Sequence, residues 1–233
     1  MIQMVVFDMA GTTVDEDNVV YKTLHAAIQH AGFPCSFDQV LEWGAGREKL
    51  QAIQFVLQSL NYSPNDTEAN AIYADFIIRL SAAYQALHIK EIPHANEVMR
   101  LLRQKNILVV LNTGYNLTTA QTLLHKLGWR EGIDFDALIT ASDVLSARPF
   151  PDMIQLAMNR FQIEDPSVVI KVGDSTIDIE EGRNAGCLFN IGITTGAHTH
   201  NQLQLSKPDY IINNLRQLIH IVDNFNQETF TQP

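Results

Sequence analysis

Cysteine is scarce in this sequence: two residues, Cys35 and Cys187, occur among 233. They lie far apart, and neither belongs to a C-x-x-C pair or to a histidine-flanked spacing. This pattern argues against a disulfide framework and a zinc site, since both need cysteines at ligand or pairing distances. We expect two small apolar fillers in a reducing compartment.

Basic residues are few as well. The chain has 16 Lys and Arg against 26 Asp and Glu, and its formal net charge is -10. No long basic cluster interrupts this balance, which excludes nucleic acid and anionic membrane surfaces as expected partners. An acidic protein that handles a phosphate-like anion needs local cations or a metal ion to do so.

Long apolar runs are absent too. None approaches the roughly 18 residues that a membrane-spanning helix needs. The first predicted strand begins within a few residues of Met1, which leaves no room for a signal peptide. The expectation is a soluble cytoplasmic protein.

Residues 18–87 show helical periodicity and no convincing strand. Apolar residues recur at three- and four-residue steps, and the third helix is expected to begin with Asp66 or Thr67 as its N-cap. Such stripes indicate a helical bundle with a shared core. The stripes are Val20, Leu24 and Ile28; Leu50, Ile53, Leu57 and Leu60; and Ile72, Phe76, Leu80 and Tyr84.

Apolar strands and helical segments alternate from about residue 92 onward. This alternation is typical of a parallel sheet covered on both faces. The sequence therefore predicts an α/β fold: a doubly wound, Rossmann-like parallel sheet core (residues 1–14 and 88–233) with an inserted α-helical cap (residues 15–87). The first predicted strand ends at residue 7, and the others cover residues 107–113, 137–140, 168–174, 188–194 and 210–213. Helices are predicted at residues 118–127, from about residue 151 onward, and in a short segment that ends at residue 186.

Polar residues stand at the ends of three of these strands. They are Asp8, Thr113 and Asp174. Because open parallel sheets form their sites at the carboxyl ends of the strands, we expect the three side chains to converge.

Four short stretches around these positions carry residues suited to phosphoryl chemistry. Any one of them is a weak signal, but all four in this order are specific. They are D-x-A-G-T-T (residues 8–13), N-T-G-Y (112–115), R-P-F-P-D-M-I (148–154) and V-G-D-S-T-I-D (172–178).

This set resembles the motifs of the haloacid dehalogenase superfamily over almost the whole chain. The resemblance implies that Asp8 is a nucleophile and that Thr113 and Arg148 hold phosphoryl oxygens. It also implies that Asp174 and Asp178 form the acidic pair that binds Mg²⁺.

The chemistry of these residues is coherent. An aspartate that attacks phosphorus forms an aspartyl-phosphate, which divides one difficult displacement into two easier ones. Mg²⁺ suits the carboxylates of Asp8 and Asp174 with the Ala10 carbonyl as a third ligand, and Asp178 would act through a metal-bound water. The resemblance further implies substrate contacts from Ala10, Thr12, Gly114, Tyr115 and Arg47.

Ala10 stands where ordinary phosphatases of this superfamily keep a second aspartate, which protonates the leaving group. Such acid or base assistance contributes about 100- to 10,000-fold in rate. The phosphonoacetaldehyde hydrolases (phosphonatases) and the phosphonatase-like hydrolases carry Asp-x-Ala instead. In that branch a cap lysine forms a Schiff base with the substrate aldehyde, and a carbon–phosphorus bond is cleaved.

Lys49, at the start of a predicted cap helix, is the candidate for that lysine. Its amine must be deprotonated to act as a nucleophile, and the usual pKa of a lysine is about 10.4. Burial or nearby Arg47 would lower this pKa, and Glu48 would raise it if it faced the site. The alternative is a solvated lysine on an amphipathic helix.

Two positions depart from the phosphonatase pattern. Ala45 and Ala52 stand where that pattern has a Met and a His beside the lysine, which puts phosphonoacetaldehyde itself in doubt as the substrate. His198 and His200 are expected to be an exposed loop pair.

Three functions remain open on the sequence. The leading one is a Mg²⁺-dependent, phosphonatase-like hydrolase of a small phosphonate. The others are a phosphatase of small phosphomonoesters, similar to phosphoglycolate phosphatase, and a catalytically silent phosphate-ligand binder. The apolar faces of the cap helices fit either internal core or a homodimer interface.

Overall fold

The strands form one large and one small sheet. The structure is a computed structural model, and it describes residues 1–231. Within those residues the strands are β1 (Met4–Phe7), β2 (Val14–Asp15), β3 (Lys90–Glu91), β4 (Leu108–Thr113), β5 (Ala137–Thr140), β6 (Val169–Gly173), β7 (Phe189–Ile193) and β8 (Tyr210–Ile212).

The large sheet has six parallel strands in the order β5-β4-β1-β6-β7-β8. Its central strand, β1, pairs with β4 on one side and β6 on the other, so that Phe7 lies beside Leu111 and Val172. The predicted doubly wound α/β core is confirmed. The five predicted strands after the first agree with the observed ones to within one residue at each end.

Ten α-helices surround the sheets within the described part of the chain. None of them is both long and apolar enough to cross a membrane. They are α1 (Val19–His30), α2 (Phe37–Gly44), α3 (Lys49–Ser59), α4 (Asp66–Ala86), α5 (Ala95–Gln104), α6 (Leu117–Leu127), α7 (Asp152–Arg160), α8 (Thr176–Ala185), α9 (His200–Leu205) and α10 (Arg216–Thr231).

The two faces of the large sheet are both buried. Side chains alternate along β1, so Met4 and Val6 enter a cluster with α7, whereas Val5 and Phe7 enter a larger cluster with α5 and α10. A strand buried on both sides needs apolar residues at every position, which explains the unbroken run M-V-V-F.

The helices α1–α4 follow β1 and form the inserted bundle. Apolar faces of α1 and α4 pack together, as the periodicity predicts, and β2 pairs with β3 where the chain leaves and re-enters the sheet region. The prediction did not include α2, which is only eight residues long. The boundaries at residues 14/15 and 87/88 stay a prediction.

The start of α4 differs from the prediction. Asn65, not Asp66 or Thr67, is the N-cap, and its side chain accepts a hydrogen bond from the Glu68 amide at 3.0 Å. Glu68 in turn accepts from the Asn65 amide at 3.1 Å. This reciprocal capping box satisfies two amides that the helix itself cannot, and so it places the first turn one residue earlier.

We expect Asn65→Ala to lower the free energy of unfolding by about 1 kcal/mol, because the cap of α4 is lost. Thr67→Ala is the matched control, since it removes a β-branched residue from the same exposed turn and should be neutral or slightly stabilising. Urea denaturation of both variants measures the difference. Equal losses would contradict the assignment of the cap.

Candidate active site

Three carboxylates meet at the carboxyl edge of the large sheet. Asp8 follows β1, Asp174 follows β6, and Asp178 lies in the first turn of α8. One oxygen from each lies within 4.8 Å of the others, and all three side chains are buried. The predicted convergence of Asp8 and Asp174 is therefore observed.

Backbone hydrogen bonds fix the position of Asp8. Its amide donates to the Val172 carbonyl at 2.9 Å, which extends the pairing of β1 with β6 by one residue. Its own carbonyl accepts from the Thr13 hydroxyl at 3.0 Å. The turn needs Gly11, whose φ is +78° and whose absent Cβ would lie 2.4 Å from Asp174 Oδ2.

Arg148 lies at the centre of this acidic group and is fully buried. Its Nη1 is 2.6 Å from Asp8 Oδ1 and 3.0 Å from Asp178 Oδ1, and its Nε is 2.9 Å from Glu181 Oε2. Its Nη2 donates to Asn112. The guanidinium thus engages protein acceptors with every nitrogen, and Nη1 is the group adjacent to Asp8.

Sequence reasoning missed a second buried cation, Lys171 on β6. Its Nζ lies 3.0 Å from both Asp178 Oδ1 and Glu181 Oε2 and donates to Asn112 Oδ1 at 2.5 Å. A single lysine inside the apolar strand V-V-I-K-V was the available signal, because a lysine there must be paired.

The electrostatics of the three aspartates differ. Burial raises the pKa of Asp8, and it raises the pKa of Asp174 well above its usual value with help from the neighbouring carboxylates. Burial also opposes ionisation of Asp178, but Arg148 and Lys171 outweigh it and lower that pKa. Two of the three carboxylates thus lack sufficient positive charge from the protein.

The donor set fits a divalent cation. Four buried carboxylates face two buried cations, which leaves two formal negative charges. Clustered carboxylate oxygens in a buried, charge-deficient site are the ligands that Mg²⁺ prefers. The carboxylates are Asp8, Asp174, Asp178 and Glu181, and the cations are Arg148 and Lys171.

Lys49 is the first residue of α3 and is buried, with 6% of its surface exposed. Its Nζ donates to the Arg47 carbonyl at 2.6 Å and lies 5.5 Å from the Tyr21 ring and 5.4 Å from the Tyr115 ring. Burial lowers its pKa to about 8. The solvated alternative for Lys49 is therefore wrong.

Arg47 does not lower the pKa of Lys49, contrary to expectation. Its guanidinium lies 4.0 Å from the centre of the Phe55 ring, and Arg148 is the cation that acts on Lys49 after burial, Glu48 and Asp8. The contact of Arg47 with Lys49 is through its carbonyl. Substrate binding by the Arg47 side chain stays a prediction.

Two threonines belong to the elements next to Asp8: one is on the neighbouring strand, and the other is in the turn that follows Asp8. Thr113 ends β4, and its hydroxyl accepts from the Tyr115 amide at 3.2 Å. The Thr12 hydroxyl is buried and has no hydrogen-bond partner within residues 1–231. A buried hydroxyl without a partner is costly unless a ligand supplies one.

The cap loop before α3 lies directly against the core. A Cβ at Gly46 would be 2.3 Å from Ser175 Oγ, and a Cβ at Gly114 would be 2.8 Å from the Arg47 carbonyl. Glycine at both positions permits this close approach, which encloses Lys49. Gly114 and Tyr115 thus lie where the cap and the core meet.

His198 is buried, and the prediction of an exposed pair is wrong for it; His200 is exposed. The Nδ1 of His198 accepts a hydrogen bond from the Thr176 amide at 3.0 Å, and its Nε2 lies 3.1 Å from the Leu41 carbonyl. The ring therefore joins the start of α8 to α2. Its position in a loop gave no indication of burial, because the partner on α2 is 157 residues away.

The parallel-sheet core and the buried acidic cluster at its carboxyl edge agree with the comparison to known families. A model described as haloacid dehalogenase-like hydrolase matches residues 2–186. The chain belongs to this family. It is a hydrolase, with the Rossmann-like core and the motif order of that family.

Relatives with a more specific name are similar at modest identity. A phosphonoacetaldehyde hydrolase from Lactiplantibacillus plantarum is 27% identical, covering 99% of this chain and 98% of its own. One from Latilactobacillus sakei is 28% identical over 80% of this chain and 74% of its own.

Solved structures share the fold. A phosphonoacetaldehyde hydrolase-like protein from Oleispira antarctica superposes with a TM-score of 0.84 at 20% identity, covering 97% of this chain and 93% of its own. A predicted phosphoglycolate phosphatase from Haemophilus somnus superposes with a TM-score of 0.76 at 19% identity, covering 95% of this chain and 98% of its own. At these identities the likeness shows the fold alone.

We expect MgCl₂ to raise the melting temperature of the wild type and Asp174→Asn to abolish that rise. The asparagine keeps an oxygen for the Ala197 amide, which donates to Asp174 Oδ2, but it removes a ligand charge. Asp17→Asn, at an exposed position, is the control and should respond like the wild type. An undiminished Mg²⁺ response of Asp174→Asn would exclude this cluster as the metal site.

Gly46→Ala should destabilise the protein more than Gly128→Ala. The two glycines have φ of +74° and +71°, so each alanine carries a similar left-handed strain of about 1–2 kcal/mol. Only the Gly46 Cβ meets a neighbour, and overpacking should add about 1–3 kcal/mol. Denaturant unfolding gives both values, and equal losses would argue that the cap loop does not press on the core.

Proposed function

We propose that this hydrolase cleaves the carbon–phosphorus bond of a small phosphonate that carries an aldehyde, through an imine on Lys49. The observation that carries the proposal is the buried amine of Lys49, whose pKa is lowered to about 8. An amine of this kind is partly neutral near pH 7 to 8, as nucleophilic attack on a carbonyl requires.

Asp8 is the proposed nucleophile at phosphorus. Its oxygen lies 2.6 Å from Arg148 Nη1. Thr113 ends the neighbouring strand β4, and the unpartnered Thr12 hydroxyl lies in the turn after Asp8. These donors are proposed to receive phosphoryl oxygens. Bound to Asp8, Asp174, Asp178 and the Ala10 carbonyl, Mg²⁺ would supply positive charge for the attack of one anion on another.

The carbon end of the substrate is handled by Lys49. Its neutral amine condenses with the aldehyde, takes up one proton and releases water, which gives an iminium next to the carbon–phosphorus bond. Attack of Asp8 on phosphorus then sends the bonding electrons into the iminium, so carbon leaves as an enamine. Protonation of the enamine, hydrolysis of the imine and hydrolysis of the aspartyl-phosphate return both residues.

This route explains why an alanine suffices at position 10. No oxygen leaves phosphorus in the cleavage step, so no acid is needed beside Asp8 to protonate an alkoxide. The names of the relatives from Lactiplantibacillus plantarum and Latilactobacillus sakei support the proposal. Ala45 and Ala52, both buried, leave the identity of the phosphonate open.

A phosphatase of small phosphomonoesters is the second candidate. The fold shared with a predicted phosphoglycolate phosphatase is compatible with it, but it would need an acid that Ala10 does not provide. A silent phosphate-ligand binder is the third, and the complete set of buried charges around Asp8 speaks against it. Burying several charges has a desolvation cost in free energy, and a protein without turnover would gain no catalysis from it.

We expect phosphate release from phosphonoacetaldehyde with Mg²⁺ to fall by about 1,000-fold or more in Lys49→Arg, roughly 4 kcal/mol of barrier. The arginine keeps a cation there but forms no imine. In the wild type, borohydride should trap the aldehyde on Lys49 at a rate that rises with pH up to about 8, as the amine loses its proton. Mass spectrometry of the trapped peptide locates the adduct.

Lys22→Arg, on the exposed side of the cap helix α1, is the control and should release phosphate at the wild-type rate. Wild type that hydrolyses an activated phosphate ester but neither releases phosphate from the phosphonate nor forms an adduct would favour the phosphatase.

A further inference from the structure

Glu16 is a buried carboxyl group that the proposed mechanism does not use. It lies in the segment between β2 and α1 and is 2% exposed. Its Oε2 accepts from the Val20 amide at 3.0 Å and lies within hydrogen-bond distance, 3.3 Å, of the Tyr84 hydroxyl. Burial raises its pKa to about 8, so the folded protein holds it protonated at neutral pH.

Hydrogen bonds connect this carboxyl group to the surroundings of Lys49. The Tyr84 hydroxyl, on α4, lies 3.3 Å from Glu16 Oε2 and 3.3 Å from the Tyr115 hydroxyl. The Tyr115 ring in turn lies 5.4 Å from Lys49 Nζ. The result is a chain of exchangeable protons, Glu16–Tyr84–Tyr115, whose last member lines the pocket of the amine.

The charged and titratable groups around Glu16 come from four elements. Lys49 on α3 attracts the ionised form of Glu16. Three tyrosines also face this region, and burial raises the pKa of each well above its usual value, so they stay neutral and can transfer a proton. They are Tyr21 on α1, Tyr84 on α4 and Tyr115 after β4. Coulombic coupling to Glu16 adds to the burial effect on each of them.

We propose that Glu16 is the proton reservoir of the Lys49 pocket and acts through Tyr84 and Tyr115; this inference rests on the imine chemistry proposed above. When the amine adds to the aldehyde, the hydroxyl of the addition product must leave as water and needs a proton. Tyr115 donates it, takes one from Tyr84, and Tyr84 takes the Glu16 proton, while the nitrogen lone pair forms the C=N bond. Hydrolysis of the imine is the reverse reaction and returns the proton to Glu16.

A purely structural role for Glu16 is the competing explanation, since its side chain also caps the start of α1. Glu16→Gln separates the two roles. The glutamine oxygen can still accept from the Val20 amide and lie within hydrogen-bond distance of the Tyr84 hydroxyl, but the side chain no longer gives up a proton. Tyr84→Phe interrupts the chain at its middle member and leaves Glu16 in place.

The experiment is a single-turnover assay of the Lys49 adduct with phosphonoacetaldehyde, trapped by borohydride between pH 6 and 9. Glu16→Gln and Tyr84→Phe should each slow adduct formation by about 100-fold at neutral pH, in the range of general acid catalysis. Glu164→Gln, at an exposed position far along the chain, should match the wild type.

Stability measured over the same pH range gives an independent readout. A carboxyl group whose pKa is higher in the folded than in the unfolded state contributes stability that is lost as pH rises, here from about 4.5 through about 8. Glu16→Gln has no such loss. Its melting temperature should therefore rise relative to that of the wild type as the pH increases from 5 to 9.

Equal adduct rates in wild type and Glu16→Gln at every pH would overturn the relay and leave the Lys49 imine standing. A melting-temperature difference that does not change with pH would overturn it too, because Glu16 would then not be the group that holds the proton. No adduct in the wild type would overturn the proposed function and the relay together.

Discussion

The ion pairs of Arg148 are the constraint on which the site depends. A guanidinium with no exposed surface holds Asp8, Asp178 and Glu181 at 2.6 to 3.0 Å, and each of these acids would be costly to bury alone. Lys171 adds the only further positive charge to this group within the described residues. The protein thus assembles four carboxylates around two cations but leaves Asp8 and Asp174 under-neutralised, an arrangement that fits a divalent cation.

Burial of Lys49 is the second constraint, and it comes from the cap. The loop that carries Gly46 and Arg47 approaches Gly114 and Ser175 so closely that only glycine fits at two positions. The same contact removes water from the amine and lowers its pKa. The close contact of the cap loop with the core and the lowered pKa of Lys49 therefore have one cause, the exclusion of water from the amine.

The sheet could be predicted from sequence because strands buried on both faces need unbroken apolar runs. The positions of Asp8, Thr113 and Asp174 at the candidate site could be predicted because open parallel sheets form their sites at the ends of the strands. The short helix α2 and the cap at Asn65 could not, since local patterns of this length fit several boundaries. The charge network was hidden for a different reason. Lys171 pairs with Asn112, 59 residues away, and Tyr84 reaches Glu16 across 68 residues. The sequence pattern predicts only that Tyr84 lies in the helix core, because a stripe of apolar residues does not show which group its hydroxyl contacts.

The placement of acidic groups connects these observations to Ala10. A second aspartate beside Asp8 would protonate a leaving oxygen at the phosphorus end, and it would add one more carboxylate to a cluster that already lacks positive charge. This chain instead keeps a protonatable carboxyl group, Glu16, beside the cap lysine, where its pKa of about 8 is close to that of Lys49. Proton transfer between groups of matched pKa costs little free energy in either direction. In the proposed mechanism, proton handling therefore lies at the carbon end rather than at the phosphorus end, as expected if the bond that breaks joins phosphorus to carbon and the difficult proton transfers belong to an imine.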